Sequence, residues 1–516
     1  MRAIAFPPIP RRRRVGLLLA LALAALPGAT RAEQPLSAID WLSRDLKKPV
    51  EPRRERVDPP PPVEEIGVTP LAGPSVDAAG LVEAARTGLP ADFWGATPSA
   101  ELARLIAAQP AGGLPAANAL LLRILLAELD PPVDAGEALF LARIDKLADL
   151  GALDQAMALA DQDSAPDREL FRRRFDMALL TGQEDAACTH MLARPALAPG
   201  LAARVFCLAR NEDWPAAAVT LEAGRALDEI APGEAEVLAR FLEPELAEDE
   251  ALAPPSPMTP LIWRVMEAAG DPLPSQNLPL AYAQADLRAN TGWKARIEAG
   301  ERLTRSGALA ANALHGLYTE RAPAASGGVW DRARAIQDLD KALYAAEQGD
   351  EEQLTLILPQ VWARFAEAEL EVPVAEIYGP RLAALRLAEP AGPLAHRIAL
   401  LGADPAAVAQ AMAGRGGEPF LDALAGGNLR GIVPPDRMAG AVRDGFRAGG
   451  VPPDLQAMIE GGRRGEAVLT ALLRLSAGMQ GDLRAVTEGI ATLRAAGLDL
   501  PARQVGLQFV ILDRRG

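Results

Sequence analysis

A chain of 516 residues in which 68 Asp and Glu oppose 53 Lys and Arg carries a formal charge of −15 at pH 7. That length, with 49% hydrophobic content, suffices for two or three packed modules and excludes a peptide or an unstructured tail. The negative sign repels phosphate backbones and anionic headgroups, which argues against nucleic acid or a membrane surface as the main ligand.

Residues 1–32 read as a secretory signal. Arg11 to Arg14 form the positive start, Val15 to Leu26 an apolar run, and Thr30-Arg31-Ala32 places small residues at the −3 and −1 positions of a cut before Glu33. The run falls short of the roughly 20 residues needed to span a bilayer, and no cysteine follows it to accept lipid. The paired arginines lack the surroundings of a twin-arginine signal. The expectation is Sec export, a periplasmic location and no membrane span after cleavage. The segment holds six arginines and no acid, so its removal takes the formal charge from −15 to −21.

Residues 33–48 read as a short amphipathic helix, with Leu36, Ile39, Leu42 and Leu46 on one face and Trp41 beside them. A proline-rich linker follows over 49–75 and cannot be helical. The Trp41 and Leu42 segment therefore either docks in a partner's groove or folds back as a cap on its own body. An N-terminal helical-repeat module is expected over 76–242, with Thr97 as N-cap and Pro98 at N1 for a helix over 99–109, then helices over 116–129 and 135–150.

An acidic, proline-rich stretch over 243–260 reads as a hinge, or alternatively as a long inter-repeat loop. A C-terminal helical module over 261–516 follows, with helices expected over 278–290, 292–306, 308–320, 330–347 and 352–370. No segment sustains strand-like alternation. The fold class is all-α, an α-solenoid of antiparallel helix pairs.

Gly151 with Ala156, Gly182 with Ala187 and Asn211 with Ala216 repeat one pattern at steps of 31 and 29 residues. Glycine permits a tight interhelical turn, and alanine lets the second helix approach the first. In these residues, over about 135–240, the chain resembles the tetratricopeptide superfamily, which implies a scaffold for protein–protein interaction. The family's usual step is about 34 residues, its aromatic positions are mostly missing, and no peptide-clamp residues carry over. Cys188 and Cys207 both fall in this stretch, on neighbouring helices of an exported chain, and a structural disulfide is expected.

His190, His315 and His396 lie scattered without metal-ligand spacing, and no nucleophile-elbow, phosphate-loop or zinc-protease motif occurs. No cofactor or metal is called for, and carboxylates on solvated helix faces are the default in so acidic a chain. The most distinctive local sequence surrounds Ser326, Gly327, Gly328, Trp330 and Arg332. Backbone N–H groups at a helix start and an indole face offer a binding loop there, with Trp293 in the same module. The plain alternative is an ordinary loop with Trp330 as a packing anchor.

The functional expectation is a non-enzymatic scaffold or adaptor that binds another cell-envelope protein. The alternative is a peptidoglycan-binding or cell-wall-processing factor related in architecture to the helical part of lytic transglycosylases. Mass spectrometry of the exported protein should find its N-terminus at Glu33. An envelope-associated chain still beginning at Met1 would overturn cleavage.

Overall fold

Alanine, leucine, arginine and glutamate lose little side-chain freedom in a helix, and they dominate this chain. The computed structural model is all-α. It describes residues 75–243, 252–414, 417–447 and 449–512. The signal segment, the 33–48 helix with Trp41 and Leu42, the linker up to residue 74 and residues 244–251 of the acidic stretch lie outside the described residues. The only strands among the described residues are Val82–Glu83 and Ala127–Glu128, paired in parallel.

Helices occupy Ser99–Ala107, Pro115–Leu126 and Ala138–Asp149, close to the expected segments. Thr97 does not cap the first of them. Buried and beside a distant helix, it instead donates its hydroxyl to Glu466 Oε2 at 3.1 Å, while the Ser99 N–H finds Asp134 Oδ1 at 2.6 Å. A long-range carboxylate has won the hydroxyl from the local cap.

The repeated turns have a common geometry. Gly151 and Gly182 both adopt left-handed backbone, at φ 79° and 77°. In the third turn the left-handed residue is Glu212, at φ 64°, and not Asn211; the fully buried alanine moves with it, from Ala216 to Ala217. The five-residue spacing survives this shift. Successive helices pack against one another through Leu153–Ala160, Arg168–Thr181, Glu184–Ala193, Leu201–Arg210, Trp214–Ala226 and Pro232–Leu242. Cys188 and Cys207, on two of these neighbours, form a disulfide with Cα atoms 5.0 Å apart.

Helix Pro260–Ala268, beyond the acidic stretch, packs back on Arg168–Thr181 and on Pro232–Leu242. Its Leu261, Ile262, Val265 and Met266 enter the same core as Phe175 and Phe206. Arg264 also holds the buried Glu184, at the start of helix Glu184–Ala193, at 2.7 Å.

The start of the described chain is organised by two fully buried charges. Asp77 accepts hydrogen bonds from the N–H groups of Gly136 and Phe140 and from the Ser99 hydroxyl. Arg143 donates to the carbonyls of Leu125, Ala127 and Ala79 at 2.9, 2.9 and 2.6 Å. Burial pushes the Arg143 guanidinium down to about 10, opposed by the charge of Asp77. These bonds tie the short strand pair to helix Ala138–Asp149.

Helices from opposite ends of the described chain share one core. Leu102, Ile106 and Leu120 pack in the same cluster as Leu424, Leu469, Leu472 and Phe509. Polar bonds fix the register. Gln109 Nε2 donates to the Leu469 carbonyl at 3.0 Å, the Gly465 N–H to the Phe93 carbonyl at 2.8 Å, and the Ala116 N–H to Gln508 Oε1 at 2.8 Å. Gly465 is required here because a Cβ would strike the Trp94 ring and the Phe93 carbonyl.

Two outcomes test this account. Cys188 and Cys207 should resist alkylation until reduced, and replacing both with alanine should cost about 3 kcal/mol, the chain-entropy value for a loop of this length; ready labelling of the unreduced protein would contradict the bond. Arg143→Met should lower stability by about 3–5 kcal/mol in urea titrations, because it leaves several buried carbonyls without donors and removes the positive charge near Asp77. A change below about 1 kcal/mol would remove Arg143 from its organising role.

Candidate functional site

Of the residues singled out from sequence, the structure brings Trp293, Trp330 and Arg332 together. Helix Trp293–Ser306 buries Trp293, whose Nε1 donates to the Leu317 carbonyl at 2.8 Å. Trp330, on helix Val329–Glu347, sets its ring 5.0 Å from that of Trp293 and is half-buried against the core. Arg332 makes two bonds, at 2.7 and 2.6 Å, to the buried Glu301, which also accepts the Tyr318 hydroxyl at 2.7 Å. Burial opposes the Arg332 charge, but the bonds and charge of Glu301 outweigh it and raise the guanidinium pKa. Burial and the same carboxylate push the Tyr318 hydroxyl well up.

Ser326, Gly327 and Gly328 stay exposed on the preceding loop. The Gly327 N–H is engaged by Asp331 Oδ1 at 3.0 Å. Trp41 and Leu42 lie outside the described residues. The Trp330 neighbourhood is thus an internal aromatic and ionic cluster with an open loop above it.

The three histidines separate into different roles. His190 stacks on Phe171 at 5.6 Å. His315 Nε2 lies 3.0 Å from Asp340 Oδ2, and Tyr378 donates to the other oxygen of that carboxylate at 2.8 Å. His396, buried, lies 2.8 Å from Asp422, and a Cβ at Gly417 would strike both side chains. These pairings join residues 19 or more positions apart, so no local motif announces them. Among the described residues no group of three or more His, Cys, Asp or Glu side chains is placed to hold a metal ion, and no helix is long and apolar enough to cross a membrane.

A different cleft emerges from the C-terminal helices. The loop from Gly427 to Pro434 and the ends of helices Arg437–Gly445 and Leu483–Ala495 enclose about 860 Å³. Arg430, Arg443, Arg447 and Arg494 line it, beside Phe446 and Val433. Arg443 and Arg494 stand in the last turns of their helices, where cations offset the negative helix ends.

Arg494 donates to the Phe446 carbonyl at 2.6 Å, lies 4.8 Å from the centre of the Phe446 ring and reaches Asp499 at 3.2 Å. Arg443 and Arg447 share Asp444 at 3.0 and 3.1 Å. Arg430 is exposed and has no ion-pair partner among the described residues. Four guanidinium groups thus meet two carboxylates, a positive excess in a strongly acidic chain. Val433, 82% exposed, adds an apolar rim.

Sequence reasoning missed this cleft because its arginines come from separate elements, Arg443 and Arg494 looking like ordinary helix-end cations and Arg430 like a loop charge. Comparison with protein-family models, with curated proteins and with solved structures finds no match to this chain. The fold and the cleft together define an all-α protein of stacked helices with a basic, apolar-rimmed surface.

Trp330→Ala should cost about 2–4 kcal/mol in denaturant unfolding, as expected for removing a large packed ring. Ser326→Ala on the loop above should stay within about 0.5 kcal/mol. A Trp330→Ala change as small as the Ser326 one would show that the indole is no packing anchor.

Proposed function

We propose that this protein is an exported, non-enzymatic helical scaffold that binds another protein of the cell envelope through its C-terminal basic cleft. The carrying observation is the cleft itself, with Arg430, Arg443, Arg447 and Arg494 around Phe446 and Val433. Guanidinium groups beside exposed apolar surface suit a partner segment in which acidic and apolar residues alternate. Arginine forks bond carboxylates in pairs, which favours an acidic segment over a neutral or basic one. Export is supported by the signal pattern of residues 1–32 and is compatible with the Cys188–Cys207 disulfide.

A photo-crosslinking residue at Val433, introduced in the native envelope, should attach to a second protein. Arg430→Glu with Arg447→Glu should abolish the product, and raising the salt should weaken it. Products confined to this chain would overturn the reading. Charge-dependent co-sedimentation with purified sacculi, in place of a protein adduct, would transfer the cleft to the peptidoglycan alternative, for which muramyl-peptide carboxylates supply the anions.

A further inference from the structure

A buried imidazole that the other sites leave unused opens on a separate cavity. His396, on helix Ala391–Leu400, is only 4% exposed. It lines a space of about 300 Å³, bounded by residues 385–389 before its own helix, by Met412 and by Gly417. That volume is about twice the roughly 150 Å³ that accommodates a benzene ring.

The two nitrogens of this ring face different surroundings. Nε2 is closed to solvent and lies 2.8 Å from Asp422 Oδ1, on helix Pro419–Gly426. A bare lone pair held that close to a carboxylate oxygen would be repelled, so the ring proton resides on Nε2 and Nδ1 keeps the lone pair. Nδ1 has no hydrogen-bond partner among the described residues, yet it keeps access to solvent. Gly417 is the reason. A Cβ there would stand 2.6 Å from His396 Cε1 and 3.1 Å from Nδ1, so the absent side chain leaves this edge of the ring uncovered on the cavity wall.

The rest of the wall restricts what can reach that nitrogen. Leu385, Leu387, Pro393 and Met412 are apolar, and Met412 offers the thioether that aromatic rings favour. Arg386 and Glu389 are exposed, one of each sign, so their charges cancel at the rim. An acceptor set in such a wall favours a neutral donor over an ammonium, whose desolvation costs more than one hydrogen bond returns.

The geometry points to a binding site for a neutral, largely apolar aromatic molecule of phenol to indole size that donates one O–H or N–H to His396 Nδ1. Asp422 is the positioning residue that fixes the tautomer, and Gly417 is the gap that admits the donor. The apolar wall receives the ring. This site is separate from the basic cleft and does not depend on its reading.

The test uses the purified full mature chain near pH 8, above the ordinary histidine range, and reads its three imidazoles by long-range proton–nitrogen NMR. His396→Gln assigns the signals by removing one set. His396 should be present as the Nε2–H tautomer. Phenol or indole at about 10 mM, enough to saturate a site with a Kd of about 1 mM, should move its Nδ1 resonance and leave those of His190 and His315 in place. Anisole and 1-methylindole keep the ring and lose the donor. They should leave Nδ1 unmoved and bind about 3- to 10-fold more weakly in calorimetry, the loss of one neutral hydrogen bond.

Gly417→Ala should weaken phenol and indole by at least as much. A Cβ at 417 also presses on Asp422, so the donor-blocked compounds carry the test on the unaltered chain. An Nδ1–H tautomer overturns the proposal. So does an Nδ1 resonance that neither phenol nor indole moves, equal binding of the blocked compounds, or wild-type affinity in folded Gly417→Ala.

Discussion

The structure depends on the seam where its earliest and latest described helices share a core. Leu102 and Ile106 bury their side chains in the same cluster as Leu469 and Leu472, and each such side chain is worth about 1.5–3 kcal/mol when fully removed from water. Apolar contact alone does not fix register. Gln109 does so by bonding the Leu469 carbonyl, and Gln508 does so by accepting the Ala116 N–H. Repeat stacks held only by neighbouring helices leave their ends apart. Here the ends meet.

Charge serves architecture and recognition in different places. Asp77, Arg143 and Glu301 are buried and engaged by several hydrogen bonds, and they hold turns and helix junctions in one arrangement. Arg430 and Arg447 stand open to solvent. The first group explains why so acidic a chain packs tightly, since a buried charge persists only with its hydrogen bonds satisfied. The second group marks where the molecule can meet something else.

Much of the helical grammar was legible in advance. Expected helices over 292–306 and 330–347 are observed as Trp293–Ser306 and Val329–Glu347, because propensity, N-terminal signals and glycine stops agree there. The disulfide was legible because two cysteines on adjacent short helices had few other places to go. Thr97 was misread, since nothing near it in sequence reveals Glu466. The third turn slipped by one residue: Glu212 takes the left-handed backbone although asparagine adopts it more readily, and nothing local in the sequence reveals the shift. Trp330 carried a visible signal, but its indole meets Trp293 and a well-packed core.

Sequence by itself determined the helical class, the glycine turns at Gly151 and Gly182, the cysteine pair and the acidic balance. These follow from interactions spanning a few residues, or from simple counting, and so they are written locally. Tertiary structure alone decided which helices share a core and which arginines gather around Phe446. Backbone hydrogen bonds in a helix reach only four residues along the chain, whereas burial and charge act through space between segments hundreds of positions apart.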